Sequence, residues 1–296
     1  QNLTIIYQPI NYWNEAFCNL ISFIWVLASV KKKCSKMKKI SSLLTLLIFT
    51  LNFSQLISGK ILKEDRNPIQ SARVGIENTG IGDLTDQNGN FKIDFSGIDK
   101  NAKLKVYVSE FIPYEIKVNE FIKSNGEIIL KEKIINIEPV NINPKKYKYK
   151  NFGTSNAKTN YCGYNSEKKD RLFNEYAIKV ENKKHLKIKS INLSIVNFDV
   201  KDSATLIFDI QNASNGFPDD KKSLTNETLK LTISKNDIIN NKVSFDVNEK
   251  NIWTNEDFFV LVRVDESLNG KLYFGGNIFA FSKDTYYRTY FGEWKK

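Results

Sequence analysis

The sequence predicts an all-β protein: two tandem β-sandwiches behind a signal peptide. Three observations carry that reading. Apolar residues recur at period two in short runs from Ile57 to Phe274, Asn-Gly and Asp/Asn-rich turns separate the runs, and helix signals are scarce. A chain of 296 residues, 41% hydrophobic and 12% aromatic, is long enough for about two folded domains.

The formal charge is +11, and six lysines against one glutamate in residues 1–54 account for five of those charges. The mild excess on the remainder suits an anionic envelope surface. It falls short of a nucleic-acid footprint, which needs basic residues clustered on one element. Of three cysteines, Cys18 and Cys34 precede the expected mature start. Cys162 then stands alone, so neither an internal disulfide framework nor a Cys-rich zinc site is expected.

Met37-Lys38-Lys39 is followed by the 12-residue apolar run Ile40–Leu51 and by Asn52-Phe53-Ser54. A basic start, an apolar centre and a small residue before the cut form the pattern of a secretory signal peptide, with Gln55 as the new N-terminus. The run is shorter than the ~20 residues that span a bilayer. No Cys follows it to carry a lipid anchor. Residues 1–36 hold a second apolar stretch, Phe17–Val30, ending in Lys31-Lys32-Lys33. They read either as over-extended translation or as one arm of a membrane hairpin with the lysines in the cytoplasm. No integral membrane domain is expected in the mature chain.

In residues 55–138, Ile57, Gly59 and Ile61, then Val74 and Ile76, mark strand faces on either side of the Asn67-Pro68 turn. Asp86-Gln87-Asn88-Gly89-Asn90 is a turn, because Asp accepts from nearby backbone N–H groups and Gly supplies positive φ. Phe91, Ile93 and Phe95 form the next face, followed by Leu104, Val106 and Val108, then Ile116 and Val118. Asn125-Gly126 reads as a hairpin turn into Ile128-Ile129-Leu130.

Gly59-Lys60-Ile61, Asn67-Pro68-Ile69, Ala72-Arg73-Val74-Gly75-Ile76 and Thr85-Asp86-Gln87-Asn88-Gly89-Asn90-Phe91 together resemble the carboxypeptidase-regulatory-like domain. That family is common in exported proteins of the Bacteroidota. The resemblance implies a seven-stranded, transthyretin-like sandwich over about 56–138. This chain departs from the family pattern at Gly82-Asp83-Leu84, before the Thr-Asp pair, and at Ile112-Pro113-Tyr114. Ile137-Glu138-Pro139-Val140 is similar to the exit segment that precedes outer-membrane transporters. The 156 residues after Val140 leave no room for a plug and barrel.

Residues 139–166 read as a linker or edge strand, with the basic-aromatic run Lys145-Lys146-Tyr147-Lys148-Tyr149-Lys150. Such lysines either meet phosphate groups or keep an exposed edge soluble. From 167 to 296 the alternation resumes: Tyr176–Val180, Leu186–Ile188, Ile191–Ile195, Leu206–Ile210, Leu229–Ile233, Val243–Val247 and Leu272–Phe274. A phase slip at Lys189-Ser190 predicts a β-bulge. Phe258–Val262 is almost continuously apolar, as in a strand buried on both faces. A second sandwich, jelly-roll-like, is expected.

His185 is the single histidine, so the two-His zinc set of a carboxypeptidase has no ligands here. No Gly-x-Ser-x-Gly elbow accompanies it, and no phosphate loop is present. Asp83–Asn90 has the wrong spacing for an EF-type calcium loop, while Asp219-Asp220 remains a candidate loop contribution to calcium. No cofactor and no catalytic residue is assigned. The candidate ligand or partner surface is aromatic: Trp253, Tyr286, Tyr287, Tyr290 and Trp294. On a strand such rings either stack on sugars or close the core. The expectation is an exported, non-catalytic interaction or scaffold protein of the cell envelope, reaching the periplasm, the outer membrane or the cell surface. Its partner would be an envelope protein or a surface polysaccharide. Carbohydrate binding through the C-terminal aromatics is the alternative, and hydrolysis a distant third.

Overall fold

The computed structural model describes residues 56–133, 148–152, 160–168, 172–276 and 285–296. The expected signal peptide, the segment before it and Glu138–Val140 lie outside the described residues. Residues 55–296 form one compact unit, nearly all β, with two sandwiches in sequence.

The first sandwich has seven strands: β1 Leu56–Lys63, β2 Arg73–Ile76, β3 Gly82–Leu84, β4 Asn90–Asp94, β5 Lys103–Tyr107, β6 Tyr114–Lys117 and β7 Glu127–Leu130. They make a three-stranded sheet, β4-β1-β7, and a four-stranded sheet, β3-β2-β5-β6. The inward residues of both sheets, among them Ile61, Val74, Ile76, Phe91, Ile93, Leu104 and Val106, are buried in one core. The Thr-Asp turn has a physical role. Buried Thr85 donates its hydroxyl to the Ile69 carbonyl at 2.6 Å and accepts the Ala72 N–H at 2.8 Å. Asp86 accepts the Asn88 and Asn90 N–H groups, both at 2.8 Å. This closes the turn that carries the chain from one sheet to the other.

Two details differ from the sequence reading. Val118 does not continue a strand but opens the short helix α1, Val118–Lys123. Val118 and Phe121, three apart, both enter the core, a period too brief to read against the flanking alternation. Asn125-Gly126 is not a hairpin turn either: β7 pairs parallel to β1, so α1 lies in the crossover that a parallel pair requires.

The second sandwich faces a four-stranded sheet against a six-stranded one. The first has the order β15 (Lys242–Asp246), β11 (Ser190–Val200), β18 (Gly270–Gly276), β8 (Asn160–Asn165). The second runs β13 (Phe217–Ser223), β12 (Ala204–Ser214), β17 (Phe258–Val264), β9 (Asn174–Val180), β19 (Thr285–Thr289), with β14 (Leu229–Ile233) also on β12. A small ribbon pairs β10 (Leu186–Lys187) with β16 (Trp253–Thr254).

Residues 160–165 of the expected linker are an edge strand, held because Tyr164 is fully buried and donates its hydroxyl to the Val262 carbonyl at 2.8 Å. The phase slip at Lys189-Ser190 is not a bulge. There the chain leaves the β10–β16 ribbon and enters β11, whose register shift lies at Ile195–Asn197. Asn215-Gly216 turns β12 into β13 with both residues left-handed, φ 51° and 84°, as a two-residue hairpin prefers. Strand β17 is buried on both faces. Phe258 and Val264 enter the inter-sheet core, while Phe259 and Leu261 enter a separate cluster with Ala177 and Tyr286 on the outer face.

Candidate functional site: the junction of the two sandwiches

An outer sheet face is ordinarily wet. Here the outer faces of two sheets cover each other. In the first sandwich, alternation sends Val74 and Val106 into the core, so Arg73 and Tyr107 point the other way; they are cross-strand partners. In the second, the outer face carries Glu175 on β9, Asp209 and Gln211 on β12, Phe259, Leu261 and Arg263 on β17, and Tyr286 and Arg288 on β19.

The charges meet as a closed network. The Arg73 guanidinium donates to Glu175 through one nitrogen and to Asp220 Oδ1 through the other at 2.7 Å. Arg288 reaches the same two acids, with Nε to Glu175 Oε2 at 2.9 Å and Nη2 to Asp220 Oδ1 at 2.7 Å. The side chains of Arg73, Glu175 and Arg288 are only 3%, 4% and 7% exposed, so this is a buried two-by-two cluster with balanced charge. Phe291 lies 4.5 Å from the Arg73 guanidinium and Trp294 4.3 Å from that of Arg288, cation–π distances.

Asp209 is satisfied differently. It accepts from the Tyr107 hydroxyl, Gln211 Nε2 (2.7 Å), Ser223 Oγ (2.7 Å), Thr225 Oγ1 (2.9 Å) and the Ile210 N–H (2.8 Å). Further bonds cross the junction: Ser71 Oγ donates to Asp265 at 2.6 Å, Arg263 to the Ser71 carbonyl at 2.8 Å, and Lys133 to the Ser223 carbonyl at 2.7 Å.

Electrostatics follows the geometry. Burial works against the Asp220 carboxylate, but the Arg288 and Arg73 guanidiniums outweigh it and hold the acid well below the usual range. Burial pushes the Tyr107 hydroxyl far up, and the Asp209 charge pushes the same way, so it is a permanent donor. Burial also raises Asp209, against the pull of its donors.

The C-terminal segment closes one side. Tyr290 and Phe291 lie on β2 and β3, where Gly75 and Gly82 leave room. A Cβ at Gly82 would stand 2.6 Å from the Tyr290 ring, and one at Gly75 3.1 Å from Phe291. The Asn78 N–H donates to the Phe291 carbonyl at 3.0 Å. Beside this segment a cleft of about 220 Å³ opens between the sandwiches, lined in part by Lys105, Tyr107, Tyr114, Asp220, Arg288 and Trp294.

The five aromatic candidates are not brought together. Tyr286 is 9% exposed, edge-on to Phe259 at 5.3 Å. Tyr290, 7% exposed, stacks on Phe173 at 5.1 Å. Neither offers a free face. Tyr287 points outward, its backbone bonded to Lys295. Trp294 lines the cleft, its ring N–H buried without a partner. Trp253 stands elsewhere, stacked on His185 at 4.9 Å. Asp220, the calcium candidate, has its Oδ1 engaged by two guanidiniums and by Gln211. Among the described residues no three His, Cys, Asp or Glu are grouped to hold a metal ion.

Apart from Asp220, weighed as a calcium contributor, the network's residues were assigned no role from the sequence. The available signal was a lone charge inside an otherwise apolar strand, as with Asp209 in Leu206–Ile210 and Arg288 in Tyr286–Phe291. Chemically the arrangement is a clamp: each carboxylate accepts several donors, and the histidine is stacked on a tryptophan outside the junction.

Comparison with known proteins agrees with the first sandwich. The profile of the CarboxypepD_reg-like domain matches residues 57–142. No curated protein matches the chain.

Proposed function

We propose, starting from a carboxypeptidase-regulatory-like domain at residues 57–142, that this chain is an exported, non-catalytic interaction or scaffold protein of the bacterial cell envelope. The observation that supports it most is the junction. The domain's four-stranded sheet is used up by docking on the second sandwich through Arg73, Tyr107, Glu175, Asp220 and Arg288. A rigid two-sandwich body presents its remaining surfaces at fixed geometry, which suits a scaffold. Export is supported by the Met37–Ser54 pattern. The test is cross-linking of intact cells carrying a tagged chain, with fractionation. The expected result is an envelope fraction in which one envelope protein is recovered reproducibly; a cytosolic chain, or turnover of a substrate abolished by one acidic substitution, overturns the proposal.

Carbohydrate binding is a second reading, favoured by the cleft, which Trp294, Tyr107 and Tyr114 line. Loss of glycan binding on Trp294→Ala, with the fold intact, supports it; undiminished binding removes it.

A further inference from the structure

The ribbon β10–β16 carries a surface that shares no residue with the cleft. Leu186 packs against the core and Thr254 is buried, so their neighbours along the ribbon, His185, Lys187 and Trp253, face outward. The Ile188 N–H donates to the Ile252 carbonyl at 3.0 Å, which prolongs the ladder and brings Lys189 into the same row. Successive members of such a row stand about 6.6 Å apart.

Rings alternate with these cations. His185 is stacked on Trp253 at 4.9 Å and 13°, Lys187 Nζ lies 5.9 Å from the Trp253 ring, and Lys189 Nζ 4.8 Å from the Tyr149 ring. Tyr149 is 80% exposed. Its contact with Lys189 sets the 148–152 segment, with Lys148, Lys150 and Phe152, beside the row. Lys183 and Lys184 extend it at the other end.

The positive charge is not locally cancelled. Among the described residues Lys148, Lys150, Lys184, Lys187 and Lys189 form no ion pair. Asp257, near Lys183, is paired with Lys179 at 3.0 Å, and Asp246, opposite Ser190, keeps its charge beside Lys189, one acid against these five lysines.

We infer that this row is a binding surface for a linear acidic polysaccharide. Its carboxylates meet Lys187, Lys189 and the flanking lysines, while a sugar ring lies along the exposed Tyr149. Complementarity of charge and shape argues for this occupant. The row is one strand wide, its cations are lysines without arginine forks, and Trp253 is already covered by His185. A single-stranded nucleic acid needs free ring faces for its bases. An amphipathic membrane contact needs a large apolar face to bury. The row itself exposes none.

The test uses the full chain and four immobilised probes: polygalacturonate, neutral dextran, phosphatidylglycerol vesicles and an oligothymidylate. Polygalacturonate is expected to bind, dextran not. Lys187→Ala/Lys189→Ala should weaken polygalacturonate binding at least tenfold with an unchanged melting temperature. Lys92→Ala/Lys123→Ala, which removes the same charge from the first sandwich, should change it less than twofold. Equal losses in the two variants, no preference over dextran, or tighter binding to vesicles or oligothymidylate overturns the inference.

Discussion

Replacing Arg73 by Met tests the clamp at its centre. Arg73 is 2% exposed and bonds Glu175 and Asp220 at once. Without it, Glu175 and Asp220 keep Arg288 as their one hydrogen-bonded guanidinium, and buried Arg263, which feels Glu175 without pairing to it, only partly offsets the charge left over. Removing one partner of a buried pair costs about 3–5 kcal/mol. With a urea dependence of about 3 kcal/mol/M for a body of this size, the midpoint should fall by about 1 to 1.7 M. The cost arises from imbalance, so Arg73→Met/Glu175→Met, which leaves Arg288 with Asp220, should recover most of it. The cycle should show a coupling of at least ~2 kcal/mol. Urea unfolding followed by circular dichroism reads both. A loss under ~1 kcal/mol for Arg73→Met, or a double variant as unstable as the sum of the singles, refutes the reasoning.

Three further outcomes follow from particular contacts. Gly82→Ala places a Cβ 2.4 Å from the Val74 carbonyl and 2.6 Å from the Tyr290 ring; overpacking of this kind should cost about 1–3 kcal/mol in a thermal melt, more than Gly75→Ala, where the nearest atom is at 2.9 Å. Burial, then the charges of Asp265, Asp83 and Asp86, push the Glu266 carboxyl up to about 6. A raised folded-state value means that stability is fully present below the unfolded value of about 4.3 and is lost as pH rises through 6. Glu266→Gln should therefore stabilise the protein above pH 6, by less than about 1 kcal/mol after solvent screening, and leave it unchanged below pH 4; denaturation curves at the two pH values check this. Burial pushes the Cys162 thiol up to about 11, so its alkylation at pH 7.5, followed by peptide mass spectrometry, should run about two orders of magnitude slower than that of a free cysteine. A rate within tenfold of the free thiol contradicts the burial.

How far the sequence revealed this molecule depends on the range of each interaction. Period-two runs and the Thr85–Phe91 turn are local, so the strands of the first sandwich were legible. So was the double burial of Phe258–Val262, whose apolar run is continuous. Helix α1 was not, because six residues with two buried positions carry too little periodicity. The parallel β1–β7 pairing was not, because Asn125-Gly126 has the same appearance in a crossover as in a hairpin. The junction was least legible. Arg73 and Glu175 are 102 residues apart in sequence, and each in isolation resembles an outward strand charge. The C-terminal aromatics read either as a contact surface or as core closure, and side-chain alternation divides them: Tyr286 packs inward on Phe259 while Tyr287 faces solvent.

The central claim is that the carboxypeptidase-regulatory-like sandwich and its neighbour form a single rigid body through the buried clamp. Native-state hydrogen exchange with peptide resolution tests it most directly. The account predicts that β2 and β5 of the first sandwich and β12 and β17 of the second exchange through openings of equal free energy, and that Arg73→Met lowers both together. Exchange of β2 and β5 through an opening that leaves β12 and β17 fully protected would contradict it.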